Sequence, residues 1–269
     1  MTRSELIKQI KKKKSYLCIG LDSDIQKIPA HLRKEKDPVF EFNKQIIDAT
    51  HTYCIAYKPN IAFYESLGAK GWESLEKTLN YIPENIFTIA DGKRCDIGNT
   101  ATLYARGFFE TLNFDAATVV PYMGEDSVMP FLDFPNKWTI LVTVSSNSGS
   151  NDFQFISENG EMLYQKVVRK ALKWGTADNL MFVAGATNPD KLADIRKLAP
   201  THFILVPGYG AQGGDLKTVS TTGLTDDAML IVSASRNIIF ASANKDFAQK
   251  AGMKAMQIQQ EMEDRKSVV

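Results

Sequence analysis

Eight short apolar runs, separated by longer segments with helical spacing, most narrow what this chain can fold into. The runs are Tyr16–Leu21, Cys54–Tyr57, Ile86–Ala90, Ala116–Val120, Trp138–Val144, Leu180–Val183, Phe203–Val206 and Ala228–Val232. Between the first two, Val39–Thr52 carries Val39, Phe42, Ile46 and Ile47 at the spacing of one helix face. Trp72–Tyr81, Ile97–Leu112, a short stretch near Glu125–Leu132, Glu161–Trp174 and Pro189–Leu198 also read as helices, with Ser4–Lys12 opening the chain and Lys245–Met262 closing it. Strands that are apolar almost throughout and alternate with helices predict a parallel sheet covered by those helices. Eight such units in about 250 residues favour an α/β fold of the closed (β/α)8 type, a TIM barrel, over an open doubly wound sheet. No linker or shift of composition divides residues 1–269, so a single domain is expected.

A formal net charge of +1 gives no global argument for nucleic acid or an anionic membrane as partner. The basic run Lys11–Lys14 reads as a solvated helix end. Cys18, Cys54 and Cys95 are odd in number and lack C-x-x-C spacing, which argues against a disulfide framework and suits a reducing compartment. No apolar run approaches the ~20 residues of a membrane-spanning helix. The start, MTRSELIKQIKKKK, lacks the apolar core of a secretory signal, so the expected location is the cytoplasm.

In such a barrel, function gathers at the C-terminal ends of the strands. The residues falling there are Asp22 after the first strand, Lys58 after the second, Asp91 and Lys93 at the third, Ser145 and Ser146 after the fifth, and Arg236 after the eighth. The centre of this set is Thr88–Thr100, TIADGKRCDIGNT. Strand alternation turns Asp91 and Lys93 the same way and Arg94 elsewhere, with Asp96 at the turn into the next helix. Negative neighbours favour the protonated amine, so Lys93 suits a held proton donor or a cation for an anionic substrate better than a nucleophile. A structural ion pair, with Asp96 as a helix N-cap, is the plainer reading of the same residues. The glycines of Pro207–Gly214, PGYGAQGG, with Gln212 among them, and Arg236 stand where these barrels usually grip phosphate. His31, His51 and His202 are scattered and lack zinc-site spacing, and no G-x-S-x-G elbow occurs. A hard cation such as Mg²⁺ on Asp91 remains open.

From Leu17–Asp22 (LCIGLD) to Ser235-Arg236 the chain resembles the orotidine 5′-phosphate decarboxylase family, in particular its longer bacterial subgroup. Asp91–Gly98 (DGKRCDIG) is similar to the family's D-x-K-x-x-D-I, and Tyr57–Glu65 (YKPNIAFYE) and Pro207–Asp215 (PGYGAQGGD) follow in order. The resemblance implies a homodimer of barrels that releases CO₂ from orotidine 5′-monophosphate to give uridine 5′-monophosphate, with no metal or organic cofactor. It further implies that Asp22 and Lys58 hold the ribose, with Lys58 also bracing the charges. Asp91 would then face the departing carboxylate, and Lys93 would protonate C6. Asp96 and Thr100 would reach the partner subunit's site, Ser146 the base, and Gln212 and Arg236 the phosphate. Cys95 stands where the subgroup usually has glycine, and Ser148 where its S-N-P-G loop usually has proline. A Mg²⁺-dependent sugar-phosphate decarboxylase sharing D-x-K-x-x-D, and a non-catalytic barrel binding a phosphate ligand, are the alternatives.

Overall fold

The computed structural model describes residues 1–209 and 214–266. Its centre is a closed barrel of eight parallel strands: β1 (Leu17–Leu21), β2 (Ala56–Pro59), β3 (Phe87–Arg94), β4 (Ala116–Val119), β5 (Trp138–Val144), β6 (Leu180–Ala184), β7 (Ile204–Pro207) and β8 (Leu230–Ala234). Each strand pairs with its sequence neighbours, and β8 closes on β1 through Leu17↔Val232, Cys18↔Ser233 and Ile19↔Ala234. Parallel neighbours need long return connections, and helices supply them: α2 (Pro38–Thr50), α3 (Ile61–Glu65), α4 (Ala69–Tyr81), α5 (Gly98–Arg106), α6 (Met129–Leu132), α7 (Leu163–Ala171), α8 (Pro189–Leu198) and α9 (Leu216–Gly223), with α1 (Arg3–Lys13) before the first strand and α10 (Arg236–Ile239) and α11 (Phe247–Lys266) after the last. The TIM-barrel expectation is borne out.

The barrel interior is packed at its N-terminal end. Phe87, Trp138 and Phe203, from alternate strands or their edges, meet edge to face, with ring centroids 6.4 and 6.1 Å apart. Helix α1 lies across that mouth. A capping box between Thr2 and Glu5 starts it, and Leu6 and Ile10 are its buried face. Arg3 reaches the Thr201 carbonyl, and Lys13 donates to the carbonyls of His51 and Cys54 at 2.7 and 2.8 Å. Lys11 pairs with Asp227 and Lys14 with Glu263, so much of the basic run is engaged within the chain itself. Among the described residues no helix is long and apolar enough to cross a membrane.

Several boundaries differ from the sequence expectation. Strand β3 runs on past Ala90 to Arg94, carrying the charged residues with it. The helix expected over Ile97–Leu112 ends as α5 at Arg106 and continues as a π-helical turn, Gly107–Thr111. Adjacent Phe108 and Phe109 are both buried, and the wider turn lets two consecutive rings face inward. The short helix α3, the helix α9 and a hairpin pairing Ser157–Glu158 with Glu161–Met162 were not anticipated. Helix α3 is shorter than a periodic signal needs and rests on its Asn60 cap. Helix α9 is rich in Ser and Thr, weak helix formers, and starts from the Asp215 cap, which accepts from the amides of Lys217 and Thr218.

Candidate active site

The C-terminal mouth collects the ionisable residues expected there. Lys58, 6% exposed, sits at the end of β2, and its Nζ lies 2.6 Å from Asp91 Oδ2. Lys93 Nζ pairs with the other oxygen, Oδ1, of the same carboxylate. Burial alone would push the Lys58 amine toward neutrality, but Asp91 and Asp22 outweigh it and hold its pKa above the ordinary lysine value. Burial would likewise raise Asp91, yet Lys58 and Lys93 hold its carboxyl well below the usual range. The chain of charges is therefore ammonium, carboxylate, ammonium.

The local backbone creates this arrangement. Strands β3 and β4 pair at Ala90↔Ala117 and next at Arg94↔Val119, so Asp91, Gly92 and Lys93 bulge opposite Thr118 alone. Lys93 takes φ 45°, a left-handed conformation uncommon for a residue with a side chain. Gly92 is required by space: a Cβ there would sit 2.8 Å from the Phe108 ring. Arg94 does point away, pairing with Glu65 and lying over the rings of Tyr104 and Phe108. Cys95 lies outside the left-handed region, so its side chain brings no backbone strain in place of glycine. Before Ser148, Asn147 is extended (ψ 156°), the conformation a following proline would also impose.

Two adjoining cavities open at this mouth. One, of about 250 Å³, is lined by Lys58, Asp91, Lys93, Thr118, Ser145 and Ser146, among others. The other, of about 130 Å³, includes Asp22, Gly208, Tyr209 and Arg236, and the two share Lys58, Ser146 and Pro207. Asp22 accepts a 2.6 Å hydrogen bond from Ser235 on Oδ2, while its buried Oδ1 has no partner. The loop after β5 is held by Gln154, which accepts from the Ser145 amide and donates to its hydroxyl, both at 2.9 Å.

Asp22, Lys58, Asp91, Lys93, Ser146 and Arg236 are thus brought together. Asp96 and Thr100 are not. Asp96 accepts from the Ile97 amide and caps nothing, since Ile97 is the residue that precedes α5; Thr100 is exposed on that helix. Among the described residues, the carboxylate paired with Lys93 is that of Asp91. Gln212 lies outside the described residues. Thr118 and Ser235 were missed, because a hydroxyl one or two residues from a strand end carries no signal of its own. Burial pushes the Cys18 thiol up to about 12, which makes it inert packing rather than a nucleophile. Among the described residues, no three His, Cys, Asp or Glu side chains converge as a metal-ligand set.

Comparison with known proteins identifies the family. Residues 15–251 match the model of the orotidine 5′-phosphate decarboxylase / HUMPS family. An orotidine 5′-phosphate decarboxylase of Phocaeicola vulgatus is 56% identical over 267 residues, covering 98% of both chains. One of Flavobacterium johnsoniae is 56% identical over 97% of both. The solved OMP decarboxylase of Leishmania donovani superposes with a TM-score of 0.81 at 36% identity, covering 96% of this chain and 99% of that one. With a family model matched over residues 15–251 and relatives that cover nearly its full length, the chain belongs to the orotidine 5′-phosphate decarboxylase / HUMPS family.

Proposed function

We propose that this chain, acting as one (β/α)8 domain, decarboxylates orotidine 5′-monophosphate to uridine 5′-monophosphate in pyrimidine synthesis. The observation that carries the reading is the Lys58–Asp91–Lys93 charge chain, set in a two-chambered cavity in a chain 56% identical to decarboxylases of that name. The wider chamber suits the pyrimidine, with Ser146 at its edge, and the narrower one leads to Arg236, whose guanidinium fork suits phosphate oxygens. Gln212 is assigned to the same phosphate. The partnerless Oδ1 of Asp22 is a ready acceptor for a ribose hydroxyl, and Lys58 lies beside it in the same chamber.

In this mechanism the C6 carboxylate lies against Asp91, and the C6–CO₂ bond breaks with its electron pair left on C6. That carbanion is poorly delocalised, so a cation next to it stabilises the transition state more than the ground state. The Lys93 ammonium supplies that charge and then its proton to C6. The distant phosphate contacts supply binding energy that closes loops over the base. No metal or organic cofactor is assigned a step. Asp96 and Thr100 act in the partner's site of a homodimer. Ile97, Leu103 and Tyr104, all substantially exposed around them, support that use of the α5 face. The three free thiols suit a reducing cytoplasm. The sugar-phosphate and non-catalytic readings are not favoured, since the relatives at 52–56% identity carry the orotidylate name.

The deciding assay follows the loss of orotidylate absorbance and identifies the product nucleotide, with and without chelator. Chelator-insensitive formation of uridine 5′-monophosphate is expected. Failure to consume orotidylate would overturn the reading, and a requirement for Mg²⁺ would favour the sugar-phosphate alternative. Light scattering should give the mass of a dimer.

A further inference from the structure

Between Ala90 and Arg94, three residues of β3 face one residue of β4, and that residue is Thr118, 2% exposed inside the barrel. Its hydroxyl has three partners there, one of them the Ala90 carbonyl at 3.4 Å. It accepts the Lys93 backbone N–H at 2.9 Å, and it lies 3.2 Å from Asp91 Oδ1, the oxygen that also meets Lys93 Nζ. The bulge removes the Lys93 amide from the regular ladder, and a buried amide without a partner is costly. The left-handed backbone at Lys93 adds strain that surrounding contacts must hold in place. No other side-chain acceptor meets that amide among the described residues.

We propose that Thr118 is a positioning residue, fixing the backbone of Lys93 and the carboxylate of Asp91 together so that the ammonium stands at one place over the reacting carbon. The hydroxyl is suited to this because its oxygen accepts from the amide while its one proton is free for the carboxylate, the nearer and charged of its two acceptors. Valine has nearly the same shape and can do neither. This rests on the decarboxylase reading for its consequence in turnover, but the anchoring itself does not.

The test compares the full-length protein with Thr118→Val and Thr118→Ser. Amide exchange at Lys93, followed by NMR, should be slow in the wild type and in the Ser variant and at least tenfold faster in the Val variant, with protection elsewhere in β3 and β4 retained. Turnover of orotidylate by the Val variant should fall on the order of 10- to 100-fold in kcat, the scale of a misplacement of about 1 Å, with KM and uridylate affinity little changed. The Ser variant should recover most of that loss. Unaltered Lys93 exchange in the Val variant overturns the anchor, whatever the activity. A changed exchange with unaltered kcat, or a loss carried in KM alone, overturns the positioning role. A wild type inert toward orotidylate defeats the functional reading instead, and the exchange result still decides the anchor.

Discussion

At the N-terminal mouth of the barrel, Lys11, Lys14 and the N-terminal ammonium have carboxylate partners, but the two more buried side-chain cations meet backbone: Lys13 donates to the carbonyls of His51 and Cys54, and Arg196 to those of His202, Gly223 and Met229. At the C-terminal mouth they meet a carboxylate, with Lys58 and Lys93 on either side of Asp91. Carbonyl partners satisfy a buried cation and leave nothing able to exchange a proton. Opposed charges crowded at one point leave strong fields aimed into a cavity, at the cost of heavy desolvation. One mouth is arranged to close the barrel, and the other to act on a charged ligand.

The contrast can be broken most sharply at Lys93. Replacement by Ala should cost about 10⁴-fold or more in decarboxylation, the combined scale of a lost proton donor and a lost transition-state charge. Because that side chain is half exposed and Asp91 keeps Lys58, the unfolding midpoint should barely move. Substantial CO₂ release in a single turnover would refute the proton-donor role.

A pair of variants sharpens the comparison next. Lys58→Met leaves Asp91 buried with one exposed partner, so it should lower stability by about 3–5 kcal/mol and reduce turnover. Lys13→Met at the other mouth should cost only about 1–2 kcal/mol and leave kcat unchanged. Equal losses in denaturant titrations would mean that the two ends do not differ as described. Arg236→Ala should then raise KM roughly 10- to 100-fold through a lost charge-assisted contact. An unchanged KM removes Arg236 from the phosphate.

The smallest effect belongs to the N-terminal mouth. Both ring nitrogens of His202 are buried without partners, and burial, reinforced by Arg196 and Arg3, lowers its pKa to about 4, with only Asp178 opposing. The unfolded chain therefore binds a proton that the folded one refuses. Stability from this group is complete above about pH 6.5, the unfolded value, and is lost progressively as pH falls from there to about 4. Between pH 7 and pH 5 the wild type should lose about 1 kcal/mol relative to His202→Phe, allowing for solvent screening. Parallel denaturation curves at both pH values would rule that out.

Much of this could be read from residues in order. The eight strands were legible because burial on both faces makes each a compact apolar run, and Asp22, Lys58, Asp91 and Arg236 followed from where those runs end. The bulge at Lys93 was not legible, since alternation assumes a regular ladder and the irregularity depends on the neighbouring strand. The N-cap reading of Asp96 fails for a related reason: α5 starts one residue later than its spacing suggests, after Ile97. Thr118 illustrates the general difficulty. Its partners are 25 and 27 positions away, and only chain closure brings them to it.

The left-handed backbone at position 93 sets heat resistance against chemistry. Asn and Gly tolerate that conformation better than Lys, and neither carries an ammonium. A directed-evolution campaign scored by survival at high temperature alone would drift toward either residue there, and its winners would be sturdier barrels that leave their nucleotide intact.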